Sequence, residues 1–338
     1  MHKTYLLVAG FLLLAAFSAR AQQTSGTVVA ESYSSEEVIF QNGDISLAGT
    51  LTLPKGAGIR YPAALLISGA GPHDRDGDRG VFRLYKLIAE KLSANGVAVL
   101  RHDDRGVGKS SMPKTPTTYR DIINDSKAAI EYLRSRKEID PDRIALIGHS
   151  EGGTTATLIA SEDSKISAIA LLAGARVANF EQLFLEQTIY QLALQQPVNP
   201  QDREKYPPIV RMVLTLIEEA KAGKPDSSVA DMREYMRQSL ALNQAEAFKR
   251  IRCPVLILQG ERDALALPHH AVAAARALAD AGNKQVSLRI FPNLSHTFTP
   301  SPLDQSIAAE KKNQISPEAL ETIQKWIAGV IIGDRGSR

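Results

Sequence analysis

The 338-residue chain has a single cysteine, Cys253. No intrachain disulfide can form, so the stability of any fold has to come from a packed core. Charge of one sign is also missing. The 40 basic and 37 acidic residues are interspersed and leave a formal net charge of +3, which argues against a nucleic-acid surface or an anionic-membrane surface. Internal repeats and low-complexity stretches are absent. What is present is 44% hydrophobic and 23% charged residues, the proportions of a globular protein, in a length that fits one large domain with an insertion or two ordinary domains.

An apolar run of membrane-spanning length is lacking too. The longest candidate, residues 5–17, falls short of the roughly 20 residues a spanning helix needs. His2 and Lys3 precede it and Ala19-Arg20-Ala21 follows, the order of a cleaved export signal over residues 1–21 rather than an anchor. No cysteine lies at the cleavage point, which argues against a lipoprotein. The expected mature protein starts at Gln22, is exported (periplasmic or secreted) and is not membrane-bound; N-terminal sequencing after expression in a Gram-negative host checks this, and recovery of the uncleaved chain contradicts it. Residues 22–35 are polar and read as a flexible lead-in, with the folded domain over 36–338.

Within that domain, residues 38–40 and 46–53 flank Asn42-Gly43 and predict a hairpin. Six further runs, at 63–67, 97–100, 144–147, 166–172, 255–258 and 286–290, are almost continuously apolar, as strands covered on both faces are. Helical stripes alternate with them: Leu84, Leu87, Ile88 and Leu92 before Asn95-Gly96, then Tyr119, Ile122, Ile123, Ile130 and Leu133 behind a Thr118/Asp121 capping box. Strand, helix, strand in repetition predicts a doubly wound α/β sheet with helices on both faces. The alternation stops between about 175 and 250, where Ile209, Met212, Val213, Leu216 and Ala220 mark helix. This block predicts an inserted helical cap, with a dimerisation arm as the alternative.

Gly148-His149-Ser150-Glu151-Gly152 fits G-x-S-x-G, with an apolar strand before it and an Ala/Thr/Leu-rich helical stretch after it. That context defines a nucleophile elbow, in which flanking glycines let a strand turn sharply into a helix. A serine hydroxyl needs a base, and the base needs an orienting acid. Chains with such an elbow order them serine, acid, histidine. Asp263 follows the strand at 255–258 and His296 follows the strand at 286–290, which places both on the rim where Ser150 sits. Glu261, on the same loop as Asp263, is the competing acid. His149 leaves the elbow in another direction, and His269 and His270 read as surface at a helix start. For the oxyanion, the amides of Glu151 and of Ala70, in Ser68-Gly69-Ala70-Gly71-Pro72, are the candidates, with Gly71 as the alternative to Ala70.

Two other patterns lack an essential part. Gly108-Lys109-Ser110 has Asp103 where a phosphate-binding loop needs glycine. Asp74, Asp76 and Asp78 alternate as in a calcium loop, but Tyr85 stands where its glutamate belongs.

The loop 66–72 with Asp74-Arg75-Asp76, the segment Arg101-His102-Asp103-Asp104-Arg105-Gly106-Val107-Gly108-Lys109-Ser110 and the elbow Gly148 to Gly153 together resemble the α/β-hydrolase superfamily. Within it they are similar to bacterial exported carboxylesterases of the EstD-like group. The resemblance implies an eight-stranded, mostly parallel sheet with a helical cap, hydrolysis of small-molecule carboxylic esters without metal or organic cofactor, and the triad Ser150, Asp263 and His296. It also implies that Asp104 and Arg105 pair structurally. The rival activities on the same triad are a peptidase of the prolyl-peptidase type, with Glu181, Glu186 or Glu204 holding a peptide amino terminus, a thioesterase and an acyltransferase. A non-catalytic binding protein on this fold is the rival of a different class.

Overall fold

The structure, a computed structural model, describes residues 32–56, 60–78, 83–193, 201–223, 230–301 and 314–333. The export signal and most of the lead-in lie outside these residues. Eight strands form one sheet in the order β1-β2-β4-β3-β5-β6-β7-β8. The strands are β1 (Tyr33–Asn42), β2 (Ile45–Pro54), β3 (Tyr61–Ile67), β4 (Ala98–His102), β5 (Ile139–His149), β6 (Ile166–Leu172), β7 (Val255–Gly260) and β8 (Val286–Phe291). Only the β1/β2 and β2/β4 pairs are antiparallel; all others are parallel. This is the α/β-hydrolase sheet that the sequence resemblance implies.

The alternation of side chains along each strand builds two cores, one per face. Leu65, Leu146, Leu171 and Ile257 point into one, against α2 (Tyr119–Ser135), α3 (Glu151–Glu162) and α8 (Pro268–Asp280). Leu66, Ile147, Leu172 and Leu258 point into the other, against α1 (Leu84–Ser93) and α9 (Pro317–Ile331). Helix α2 begins at the expected box: the Thr118 side chain accepts from the Asp121 amide, and the Asp121 side chain accepts from the Thr118 amide.

The structure departs from the sequence reading in four places. β1 begins at Tyr33, inside the expected lead-in, because its polar residues pair along the backbone with β2 on the sheet edge and Glu36 and Glu37 form ion pairs with Arg136 and Arg75. The hairpin turn is Gly43-Asp44 rather than Asn42-Gly43: Asn42 pairs with Ile45, and Gly43 takes the positive φ of 56°. β8 is the other edge strand, and Ser287, Leu288 and Arg289 are exposed rather than covered. Finally, the inserted block rejoins the core before Arg250. Helices α4 (Phe180–Ala193), α5 (Pro208–Ala222) and α6 (Ala230–Ala241) pack on one another through Tyr206, Leu214, Ile217 and Met236. In α7 (Gln244–Phe248), by contrast, Phe248 is fully buried in the sheet's core.

A buried ion pair anchors the loop that reaches the site. Asp103 accepts from Arg75 N (2.8 Å), Nε (2.9 Å) and Nη2 (2.7 Å) and from Lys109 N (2.9 Å), while Arg75 Nη1 donates to Gly49 O. Burial alone would raise the Asp103 pKa, but the Arg75 guanidinium and these amides outweigh it and hold it below the ordinary value. A carboxyl depressed in the folded state adds stability at neutral pH that is lost as pH falls through its folded pKa. Asp103→Asn is therefore expected to cost about 3–5 kcal/mol at pH 7, as breaking one side of a buried pair does. The deficit should narrow below about pH 4, where the parent's own carboxylates begin to protonate. Urea denaturation at both pH values checks this; equal stability of parent and variant at pH 7 contradicts it.

Candidate active site

The strand order brings the carboxyl ends of β3, β5, β7 and β8 to one rim. Ser150 sits where β5 turns into α3, with φ 53° and ψ −120°. Such a backbone is strained for a side-chain-bearing residue, and the surroundings hold it. The Ser150 amide donates to Leu172 O (2.9 Å), and Ala173 N donates to Leu258 O (2.8 Å). The turn is tight enough to require glycine: a Cβ on Gly148 would lie 2.2 Å from Gly152 O, and one on Gly152 would lie 2.4 Å from Ile67 O.

Asp263 and His296 are both buried, and His296 Nδ1 lies 2.8 Å from Asp263 Oδ2. The same Oδ2 accepts from Gln259 Nε2 (2.7 Å), and Oδ1 accepts from the amides of Leu265 and Ala266 (both 2.8 Å). Every acceptor direction of the carboxylate is thus occupied, which fixes its plane and so the plane of the imidazole. Glu261 is elsewhere, exposed and accepting from the Asn293 amide. His149 is buried beside His296, with ring centroids 5.0 Å apart, and its Nε2 is 3.2 Å from His296 O. It braces the loop that carries His296.

Ser150, His296, Ala70 and Glu151 line one cavity of about 340 Å³, together with Arg176, Phe180, Leu183, Leu265 and Ala266. A second, mainly apolar cavity of about 640 Å³ shares Gly69, Ala70, Glu151 and Phe180 as a common wall and extends to Ile122, Phe184, Val213 and Met236. In the loop after β3, the Gly69 amide donates to Tyr85 Oη (3.1 Å). Asp104 holds the same loop, accepting from Ser68 Oγ and His73 N (both 2.9 Å). A wider groove of about 980 Å³ lies at the amino ends of β6 and β8, around Ser167, Cys253 and Trp326, and none of the candidate residues reaches it.

Residues 80–300 match the model of the Hydrolase_4 family, described as serine aminopeptidase, S33. The chain belongs to this family, within the α/β-hydrolase superfamily. Esterase EstD of Thermotoga maritima is 28% identical over 302 residues, which is 85% of this chain and 68% of that protein. Among solved structures, Est1E of Butyrivibrio proteoclasticus with ferulic acid bound superposes with a TM-score of 0.57 at 19% identity, covering 87% of this chain and 99% of that one. An esterase of Pyrococcus furiosus gives 0.59 at 17% identity, covering 89% and 92%. The Hydrolase_4 protein is thus an esterase-like α/β hydrolase.

Several residues around the hydrolase's site were not legible as functional in its sequence. Tyr235, from α6, donates to Glu151 Oε1 and links the cap to the elbow. Burial pushes the Glu151 carboxyl above its ordinary pKa, against the opposing effects of Tyr235 and Arg176. Burial also raises Asp104. Tyr85 and Gln259 act through the main chain and Asp263, and no local motif announces either. Asp104 and Arg105 do not pair as the resemblance implied. Arg105 forks onto Asp125 (Nε–Oδ2 2.8 Å, Nη2–Oδ1 2.7 Å) and reaches Asp121, while Asp104 faces the loop after β3. Asp74 accepts from the amides of Asp76 and Asp78 in a turn, and Asp76 pairs with Arg83 and Arg101. His269 is exposed as expected, but His270 is buried. Successive residues on a helix point about 100° apart, so at the start of α8 His269 turns to solvent while His270 turns inward.

Proposed function

We propose that the protein is a serine carboxylesterase acting through an acyl-enzyme. The observation that carries this is the elbow serine, held at positive φ, opening into the same cavity as an imidazole whose other nitrogen is fixed by a buried aspartate. In this reading His296 Nε2 takes the Ser150 proton as Oγ attacks the ester carbonyl. The resulting tetrahedral oxyanion is held by the amides of Ala70 and Glu151, and His296 returns the proton to the leaving alkoxide. Water, deprotonated by His296, then attacks the acyl-serine and the carboxylic acid leaves with Ser150 restored. Atoms and protons balance with no metal or organic cofactor.

The adjoining apolar cavity suits a small or medium acyl or alcohol group. From the cap, Phe180, Phe184 and Met236 line it, whereas Met212 faces solvent. The family description and the shared triad chemistry make an aminopeptidase the reading to weigh against the esterase. Such an enzyme needs a free carboxylate for the substrate ammonium. Here Glu181 is paired with Lys221, Glu186 with the two histidines of α8, and Glu204 is exposed. On the wall of the catalytic cavity the carboxyl is that of Glu151, whose neutral form burial favours, and Arg176 adds positive charge. The expected result is that p-nitrophenyl esters of short to medium chains are cleaved with kcat/KM at least about 100-fold above alanine and proline p-nitroanilides, since an amide nitrogen leaves only with well-placed proton donation. A thioester in the same series tests the thioesterase alternative. An anilide cleaved faster than every ester contradicts the proposal.

A further inference from the structure

Where α4 of the cap meets the first turn of α8, three side chains converge that the hydrolytic chemistry does not use. Glu186 Oε2 lies 3.1 Å from His269 Nε2 and 2.9 Å from His270 Nε2, and one donor atom from each residue falls within 4.8 Å of the other two. Two nitrogens and an oxygen bound at 2.0–2.1 Å in a tetrahedron are separated by about 3.3 Å, close to the two nitrogen–oxygen spacings found here. The carboxylate is already oriented: Gln182 Nε2 donates to Oε1 (3.1 Å) and leaves Oε2 toward the histidines, the way ligating carboxylates are held by an outer partner. His270 supplies the independent observation. Its side chain is only 3% exposed, yet neither ring nitrogen has an aligned hydrogen-bond partner among the described residues, because the close Glu186 oxygen lies off the hydrogen-bonding direction. A buried, unsatisfied imidazole is costly unless something else takes its lone pair. His269, 59% exposed, provides the entry side.

We propose that Glu186, His269 and His270 bind one divalent ion of the zinc class, which ties the cap to the sheet domain. Two imidazoles and one carboxylate are borderline donors that suit Zn²⁺ rather than Ca²⁺ or Mg²⁺. Water fills the fourth position. The consequence for the enzyme is geometric. Leu183 and Gln187, on the same helix as Glu186, and Leu265 and Ala266, just before α8, line the catalytic cavity. An ion at this junction fixes two of that cavity's walls relative to each other.

The test is titration of the chelator-stripped, purified protein with Zn²⁺ alone by calorimetry, and with Co²⁺ followed by visible absorption. The expected result is one equivalent of Zn²⁺ per chain and an intense four-coordinate cobalt spectrum. His269→Ala and Glu186→Gln should each weaken binding by at least on the order of 100-fold, since removing even an outer partner costs about 10–100-fold. Circular dichroism establishes that these two variants are folded. On the unaltered protein, Zn²⁺ should also protect His269 from diethyl pyrocarbonate, a readout that needs no variant. No uptake, a weak six-coordinate cobalt spectrum, either variant binding as tightly as the parent, or His269 modified equally with and without Zn²⁺ overturns the proposal.

Discussion

Ser150→Ala and His296→Ala are each expected to lower turnover of a p-nitrophenyl ester by about 10⁴–10⁶-fold, with the double variant little worse than either alone. The near-equality is the diagnostic part. Without Ser150 there is no nucleophile for the imidazole to activate, and without His296 the hydroxyl keeps its proton, so the second loss removes a function already gone. What remains is the oxyanion site and substrate binding. Both variants should fold, because Ser150 is held by its main chain: its amide binds Leu172 O and its own carbonyl accepts from Gly153. Alanine at this positive φ keeps the same backbone. Steady-state kinetics with an ester, beside thermal unfolding, check both halves of the expectation; near-normal turnover in Ser150→Ala contradicts it.

Asp263→Asn is expected to cost about 10⁴-fold in kcat, through the tautomer of His296 rather than through its position. Oδ1 of Asp263 accepts from two amides, Leu265 N and Ala266 N. An asparagine must therefore place its oxygen there and its NH₂ at the Oδ2 position. That NH₂ then faces Gln259 Nε2, also a donor, and His296 Nδ1. The imidazole can satisfy it only by accepting at Nδ1, which puts the ring proton on Nε2 and leaves no lone pair for the Ser150 hydroxyl. A pH–rate profile separates this from a fold defect. The variant should regain part of its activity at high pH, where hydroxide replaces the missing base, and it should still bind a substrate-analogue inhibitor. Activity within about 10-fold of the parent at neutral pH contradicts the assignment of Asp263 as the orienting acid.

The parts of the fold visible in the sequence are those in which a local pattern has a single physical meaning. Runs such as 63–67 and 255–258 are apolar on both faces because helices cover both, and β3 and β7 are where those runs are. The elbow is legible because only glycine fits positions 148 and 152. Edges are where the reading failed. Tyr33 to Glu37 are polar yet pair in register with β2, with Glu36 and Glu37 held by arginines distant in sequence, and in β8 Ser287 and Arg289 already mark a strand open to solvent. The partners of buried charges are also illegible, since Arg75 and Asp103 are 28 residues apart in sequence. Adjacent Asp104 and Arg105 look like a pair but point to different elements. His270 was unreadable for the same reason: whether a helix-start histidine faces water or a cap depends on where the cap lies.

The most direct test of the account is the identity of the residue acylated or phosphonylated during turnover. Incubating the purified protein with a fluorophosphonate, measuring intact mass and mapping the adduct by peptide mass spectrometry gives the answer. One adduct per chain, on Ser150, formed in parallel with loss of esterase activity and absent in Ser150→Ala, is the expected result. Undiminished ester hydrolysis by the fully labelled protein, or an adduct that inactivates it from any other residue, contradicts the account.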